Sequence, residues 1–276
     1  MSADLETKVN QLEKWWKTQT QLPEKIERGL LKRFLVAMSA DVESTQNLIL
    51  YNYKLRNKYD HIFLKRDPMD EATQEILKVA DYLSLPGRTA ENYSVTLFRL
   101  QEFEPEKFKF TEAVKVLFMI IDCRFVGTEE IDNGDVIIFD MAGYTLKHLA
   151  QTSISSLRTV TKYTQEAHSG RVRQIHVINA APYLDKVLAV VRPFLKGELM
   201  KMIHTHLPGS DTPYEFVPRE LLPEEYGGNA GKMSDIRQHW INKLKENRDF
   251  LMDESRWKMK KPQSGNVDNL SSLEID

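Results

Sequence analysis

Apolar residues recur at helical spacing through the first third of the chain, then give way to short β-branched runs separated by amphipathic stretches. Leu12, Trp15 and Trp16 mark a first short helix that ends near Leu22 and Pro23. From Glu24, the positions Ile26, Leu30, Leu31, Phe34, Leu35 and Met38 predict a second. Ser39, Ala40 and Asp41 break it, and Asp41 is placed to cap a third helix that carries Leu48, Ile49, Tyr53 and Leu55. A further helix is expected over 68–83, opened by Asp70 and Glu71 as a helix dipole favours. Leu85, Pro86 and Gly87 then close a helical unit.

After Pro86 the pattern alternates. Strands are expected over 93–99, 136–140 and 174–179, with a short one in the MIHTHL stretch. The second and third are continuous apolar runs, the mark of strands covered on both faces. Helices are expected over 111–126, 153–167 and 181–202, with Pro193 bending or dividing the last of these. Strands spaced by helices predict an α/β fold with a mostly parallel sheet built from right-handed crossovers. The domain reading is a helical unit over 1–86, an α/β domain over 87–235, and a C-terminal helix with a disordered Ser- and Asn-rich tail over 236–276. That last helix carries Ile236, Trp240, Leu244 and Leu251, and a basic stretch with Arg256, Lys258, Lys260 and Lys261 follows.

Composition narrows the function classes. The 276 residues are 41% hydrophobic and 28% charged with a net charge of -2, which gives no global attraction to nucleic acid or anionic membrane. The single cysteine, Cys123, excludes an internal disulfide and fits a reducing compartment. The first residues lack signal-peptide blocks, and no run reaches the roughly 18 apolar residues of a membrane span. The expectation is a cytoplasmic protein, peripheral at membranes.

Candidate chemistry is thin. His204 and His206 share a strand face and could begin a metal site, but no third ligand stands at a standard spacing. Cys123 falls among apolar helical positions, where an inert buried thiol is expected. GGNAGK at 227–232 fails as a phosphate loop because Tyr226 and Met233 occupy its defining positions, and Gly227 and Gly228 are read instead as allowing a tight crossing. Asp140 is expected to cap the turn after its strand. No acid, base and nucleophile assemble, so no enzyme, metal or cofactor is expected. The strongest feature is an apolar stripe after Pro182: Val187, Leu188, Val190, Val191, Phe194, Leu195, Leu199, Met202 and Ile203.

The order of the helical unit, FDMAGY, RVRQIHVINAAP, RPFLKGELMKMIHTH and LPEEYGG closely resembles the CRAL-TRIO family of lipid-binding proteins, nearest its tocopherol-transfer, retinaldehyde-binding and clavesin branch. The resemblance spans nearly the whole chain, with the N-terminal helices of that family before Pro86. It implies a pocket floored by the sheet and closed by a mobile lid helix. The implied lining is Val114, Leu117, Phe118, Ile121, Ile137, Phe139, Leu146, Leu157, Val160, Tyr163, Thr164, Ile175 and Val177. The implied lid residues are Val187, Val190, Val191, Phe194, Leu195 and Leu199. Tyr144, Tyr163, Thr164 and His168 are the polar groups expected nearest the cavity. Arg171 and Arg173 match part of a phosphoinositide headgroup cleft.

Two departures qualify the match. Leu117 and Ile121 stand where the tocopherol binder has serines, and Glu198, Met202, Val36 and Met38 replace bases of the cleft. The function expected is a monomeric soluble carrier for one hydrophobic lipid, isoprenoid-like, exchanged with membranes through the lid. Two other readings stay open. One is a phosphatidylinositol- or phosphoinositide-binding transfer or trafficking adaptor, with Trp15 and Trp16 facing a partner. The other is an enzyme acting on a lipid.

Overall fold

The computed structural model describes residues 3–128, 130–180 and 183–260. Ala181 and Pro182, where the lid pattern begins, lie outside the described residues, as do Lys261 and the tail expected to be disordered. The helical unit comprises α1 (Ala3–Thr18), α2 (Arg28–Ala37), α3 (Val42–Lys58), α4 (Asp60–Phe63) and α5 (Glu71–Val79). Asp41 caps α3 by accepting the Ser44 N–H at 2.7 Å, and Asp70 caps α5 through Thr73 N–H at 2.6 Å. Val9, Leu12, Trp16, Leu31, Phe34, Leu35, Ile49 and Tyr53 fill its core, so Trp16 is a packing residue rather than an exposed contact.

The helix expected over 68–83 stops at Val79. From Ala80 the chain runs extended as β1 (Ala80–Arg88) and pairs antiparallel with β2 (Tyr93–Leu100), Ala80 opposite Leu100 and Ser84 opposite Thr96. Strand pairing overrides the helical spacing here. Pro86 is tolerated because β1 is an edge strand and its register slips between Ser84 and Arg88. The sheet therefore takes in residues 80–86, on the helical-unit side of the expected boundary.

The remainder alternates as the pattern implies: α6 (Phe110–Cys123), β3 (Gly134–Asp140), α7 (Leu146–Ala150), α8 (Ile154–Glu166), β4 (Val172–Ile178), α9 (Leu184–Val191), α10 (Gly197–Met200) and β5 (Ile203–Thr205). The sheet order is β1-β2-β3-β4-β5, and every pair after the first is parallel. The expected long helix over 181–202 is instead α9, a 3-10 turn over Arg192–Phe194, and α10. Pro193 lies inside that turn, where its missing N–H and ring disrupt an α-helix.

The last elements among the described residues are α11 (Met233–Glu246), α12 (Arg248–Met252) and α13 (Glu254–Trp257). At 227–228 it passes so close to residues 219–222 that a β-carbon on Gly228 would overlap the carbonyl oxygens of Leu222 and Arg219. Gly227 has a φ of 73° in the left-handed region. The basic C-terminal stretch ties this end to the helical unit. Arg256 pairs with Glu27, Lys260 with Glu24 at 3.1 Å, and the Lys260 N–H donates to the Gln21 carbonyl at 3.0 Å.

Two buried ionic knots join the helical unit to the α/β domain. Arg33 meets Asp132 at 3.5 Å and Asp135 at 3.2 Å, while Arg124 meets Asp135 at 2.5 Å. Arg56 grips Asp122 with two bonds of 2.8 Å, and Arg66 donates to the same carboxylate. Both guanidinium groups lie over the Trp257 ring, at 4.8 and 4.9 Å.

Candidate ligand-binding site

Period-two alternation splits the sheet into two unlike faces. On one face Val136 is 0% and Ile138 3% exposed. On the other, register aligns Thr96, Ile137, Ile175 and Ile203 in one row and Phe98, Phe139, Val177 and Thr205 in the next. Ile137, Phe139, Ile175 and Ile203 on this face are only half-buried. An apolar sheet surface is thus left partly uncovered at the C-terminal half of the sheet. Its aromatic border was not legible beforehand. Phe98 lies 4.9 Å from Tyr82, 5.8 Å from Phe139 and 6.3 Å from Phe108, whose ring also meets Tyr144 and His148.

The segment 184–200 connects β4 to β5 beside this surface. None of the residues of α9, the 3-10 turn or α10 is fully buried. Leu184 and Val187 pack against the same core as Phe139, Ile175 and Ile203. Side chains of α8 hold the break at Pro193. Gln165 donates its amide to the Phe194 carbonyl at 2.9 Å and accepts the Lys196 N–H at 2.6 Å. The Glu166 carboxylate meets Lys196 Nζ at 2.9 Å and accepts the Tyr51 hydroxyl of α3 at 3.1 Å. Burial opposes charge on Glu166, but these two partners outweigh it and hold the carboxyl below its usual range. Sequence spacing could not show this latch, because its members come from three separate elements.

Several expected lining residues sit elsewhere. Val114, Phe118 and Tyr163 are buried between α6, α8 and α4, packed with Ile62 and Phe63. Their helix faces pack against α4 of the helical unit. Tyr163 is also spoken for chemically, since its hydroxyl accepts from Arg56 at 2.8 Å and Asn52 at 2.9 Å. Ile121 and Val160 flank that same cluster, whereas Leu117 packs on the sheet core. Leu157 is buried and Thr164 half-buried on α8, while Leu146 is 40% exposed on α7. His168 is bonded to Gly170, and burial together with the Arg33 charge pushes its imidazole down to about 4.

Of the two arginines expected in a headgroup cleft, Arg171 borders a shallow depression framed by residues 33, 36–37, 132–134 and 169–170, and both are half-buried. Arg171 donates to Ser39 Oγ at 3.2 Å, and Arg173 donates twice to the Asn133 carbonyl, at 3.0 and 2.9 Å. A larger cavity of 410 Å³ lies away from the apolar face, between Leu85–Arg88, Phe125 and Trp240, and includes none of the expected lining. Among the other candidates, burial pushes the Cys123 thiol up to about 12, which makes it inert at neutral pH. Asp140 accepts the Ala142 N–H at 2.9 Å, as a turn cap does, and also bonds Asn179 and Tyr226. Among the described residues, no group of three or more His, Cys, Asp or Glu is placed to hold a metal, and no helix is long and apolar enough to cross a membrane.

Comparison with known proteins gives this geometry a context. The model of the CRAL/TRIO domain matches residues 80–228, and that of the Pinta-like UBA domain matches residues 1–73. The alpha-tocopherol transfer protein-like protein of Homo sapiens is 24% identical over 208 residues, covering 75% of this chain and 60% of that protein. Clavesin-2 of Rattus norvegicus is 22% identical over 200 residues, 72% of this chain and 61% of that protein. The chain thus spans about three fifths of the length of these curated relatives. The crystal structure of Sfh5 superposes with a TM-score of 0.51 at 14% identity, covering 76% of this chain and 75% of that one, which is a likeness of fold.

Proposed function

This chain belongs to the CRAL/TRIO domain family, and from that premise we propose that it carries one hydrophobic molecule on the half-open sheet face and exchanges it with membranes by moving the segment 184–200. The observation that carries this reading is the pairing of an incompletely covered apolar sheet row with a broken helical segment that is nowhere fully buried. Swinging that segment into water would expose apolar area at roughly 25 cal/mol per Å². A bilayer that accepts the same face offsets the cost.

The ligand favoured is isoprenoid-like, with a long hydrocarbon body and at most one small polar head. A phosphate would need buried bases to meet it. Neither candidate base is buried: Arg171 and Arg173 are half-buried, Arg171 bonded to Ser39 and Arg173 to the Asn133 carbonyl. The second reading, phosphatidylinositol exchange, is supported by Arg171 and Arg173 standing near each other. Solvent extraction of the purified protein, followed by competition between phosphatidylinositol and a panel of α-tocopherol, retinal and a carotenoid, decides between them. Selective loading by an isoprenoid is expected. Loading by phosphatidylinositol alone would overturn the ligand class, and loading by neither would overturn the carrier reading.

The latch supplies a milder test. Glu166→Gln removes the ion pair to Lys196 and weakens the bond from Tyr51. The pair is solvent-exposed on its lysine side, and such pairs are worth about 0–1 kcal/mol. Release of a preloaded fluorescent tocopherol analogue to neutral vesicles is therefore expected to quicken by up to about fivefold, with circular dichroism unchanged. An unchanged release rate would show that this contact does not restrain the segment.

A further inference from the structure

A cluster of imidazoles lies on the sheet face opposite the apolar rows and takes no part in the reading above. His176 of β4 is fully buried. Its Nε2 stands 3.1 Å from the Gln174 amide oxygen, and its Nδ1 stands 3.0 Å from Nε2 of His206. His206 Nδ1 lies 2.7 Å from the Thr212 hydroxyl, which lies 2.8 Å from the Ser210 hydroxyl. The direction of this chain follows from valence. An amide oxygen can only accept, so the His176 proton is on Nε2 and its Nδ1 offers a lone pair. His206 must then donate from Nε2, and its own Nδ1 accepts from Thr212. The pair can carry one added proton, because the Thr212 hydroxyl can accept from His206 Nδ1–H as well as donate to Nδ1. With both imidazoles protonated, His176 Nδ1–H meets His206 Nε2–H and the link between the strands is lost.

The surroundings offer little to compensate such a charge. His204 stacks on His176 at 5.1 Å, and the Phe216 ring covers both at 5.0 and 4.7 Å. From β3, Val136 and Ile138 stand in register with Gln174 and His176. Farther along β3, the Asp140 carboxylate is occupied by Asn179 and Tyr226. On the loop beyond β5, Asp211 is paired with Arg219, whose guanidinium lies 3.8 Å from the Tyr214 ring. Glu215 is the carboxylate that bears on His206. Burial, reinforced by His206 and His204, pushes His176 down to about 4. Burial and His204 also lower His206, with Glu215 opposing them.

The position of the chain gives it a consequence. The segment 184–200 leaves the end of β4 and returns into β5, a three-residue edge strand paired with β4 alone. Backbone bonds at this root run from Ile175 N–H to the Met202 carbonyl at 2.8 Å, from His206 N–H to Val177 at 2.9 Å, and from Ala180 N–H to His206 at 3.0 Å. We propose that the Gln174–His176–His206–Thr212 chain is an acid-sensitive staple at the root of the lid, so that protonating both imidazoles severs it and frees the β5 edge and the segment anchored there. The sign is fixed by linkage. Groups whose folded values lie below the free imidazole value of about 6.5 leave the closed edge at full strength above that pH, and weaken it as pH falls toward about 4.

The consequence for release rests on the lid reading, but the staple is testable without a ligand. Hydrogen exchange, corrected for its intrinsic pH dependence, should show protection of the Ile175 and Ala180 amides falling at least tenfold relative to Leu97 of β2 between pH 7 and pH 5. In the His176→Gln, His206→Gln double variant this relative fall should vanish. A flat profile in the native protein, or the same fall in the double variant, would overturn the proposal. Should the double variant lose β5 altogether, 15N titration of the native imidazoles decides. The midpoints of His176 or His206 should coincide with the loss of amide protection, and midpoints elsewhere would overturn it. Failure of lipid loading would leave this result untouched, so the two readings fail separately.

Discussion

Replacing Val187 with aspartate should release a bound tocopherol analogue roughly 30- to 150-fold faster while the fold stays intact. Val187 lies on α9, half-buried, packed against the core that also receives Phe139, Ile175 and Ile203. A carboxylate there must either lose water or push the helix off the sheet, and the closed position becomes less favourable by about 2–3 kcal/mol. Phe194, the larger residue on the same stripe, is a poorer choice for this test. Its ring lies 5.6 Å from the Arg158 guanidinium, so an introduced carboxylate would gain a cationic partner. The readout is transfer to neutral vesicles after loading, with circular dichroism and thermal melting as folding controls. Wild-type retention in a folded Val187→Asp protein would remove α9 from the closing role.

The contrast between Val187 and Phe194 shows what a linear sequence conveys. The apolar stripe and the break at Pro193 are local properties, and spacing alone located both. The same holds for Asp41 and Asp70 as caps, and for the alternation that puts Ile137 with Phe139 and Ile175 with Val177. Contacts between elements were beyond reach. The apolar side of α6 reads as one surface, yet Leu117 goes to the sheet core while Val114 and Phe118 go to α4 and Tyr163. Nothing in the spacing says which partner will cover which arc. β1 is hidden from the spacing for a related reason. Residues 80–83 continue a helical pattern, and only the antiparallel pairing with β2 makes extension the better solution. His204 and His206 were visible as a pair two residues apart, but the third member, His176, comes from the neighbouring strand through parallel register.

The junction between the two parts of the chain should be the least forgiving site for stability, and Asp122→Ala should show it. Asp122 lies at the end of α6, where Arg56 of α3 and Arg66 after α4 converge on one carboxylate. Both arginines are almost completely buried. Removing the carboxylate leaves two neighbouring buried cations beside the Trp257 ring with no anion between them. Breaking one side of a buried ionic cluster typically costs about 3–5 kcal/mol. At roughly 2–4 °C per kcal/mol for a chain of this order, the melting temperature should fall by about 10 °C. The pH dependence carries its own signature. Burial alone would raise the Asp122 value, but the two guanidinium charges overcome it and hold the carboxyl well below the usual carboxylate range. A group depressed in the folded state contributes its full stability above the unfolded value of about 4 and loses it as pH falls below that. The gap between wild-type and Asp122→Ala melting temperatures should therefore be widest near neutrality and narrow below pH 4. A gap of less than 2 °C at pH 7, or one that widens in acid, would show that the helical unit is held to the sheet domain by something other than this charge cluster.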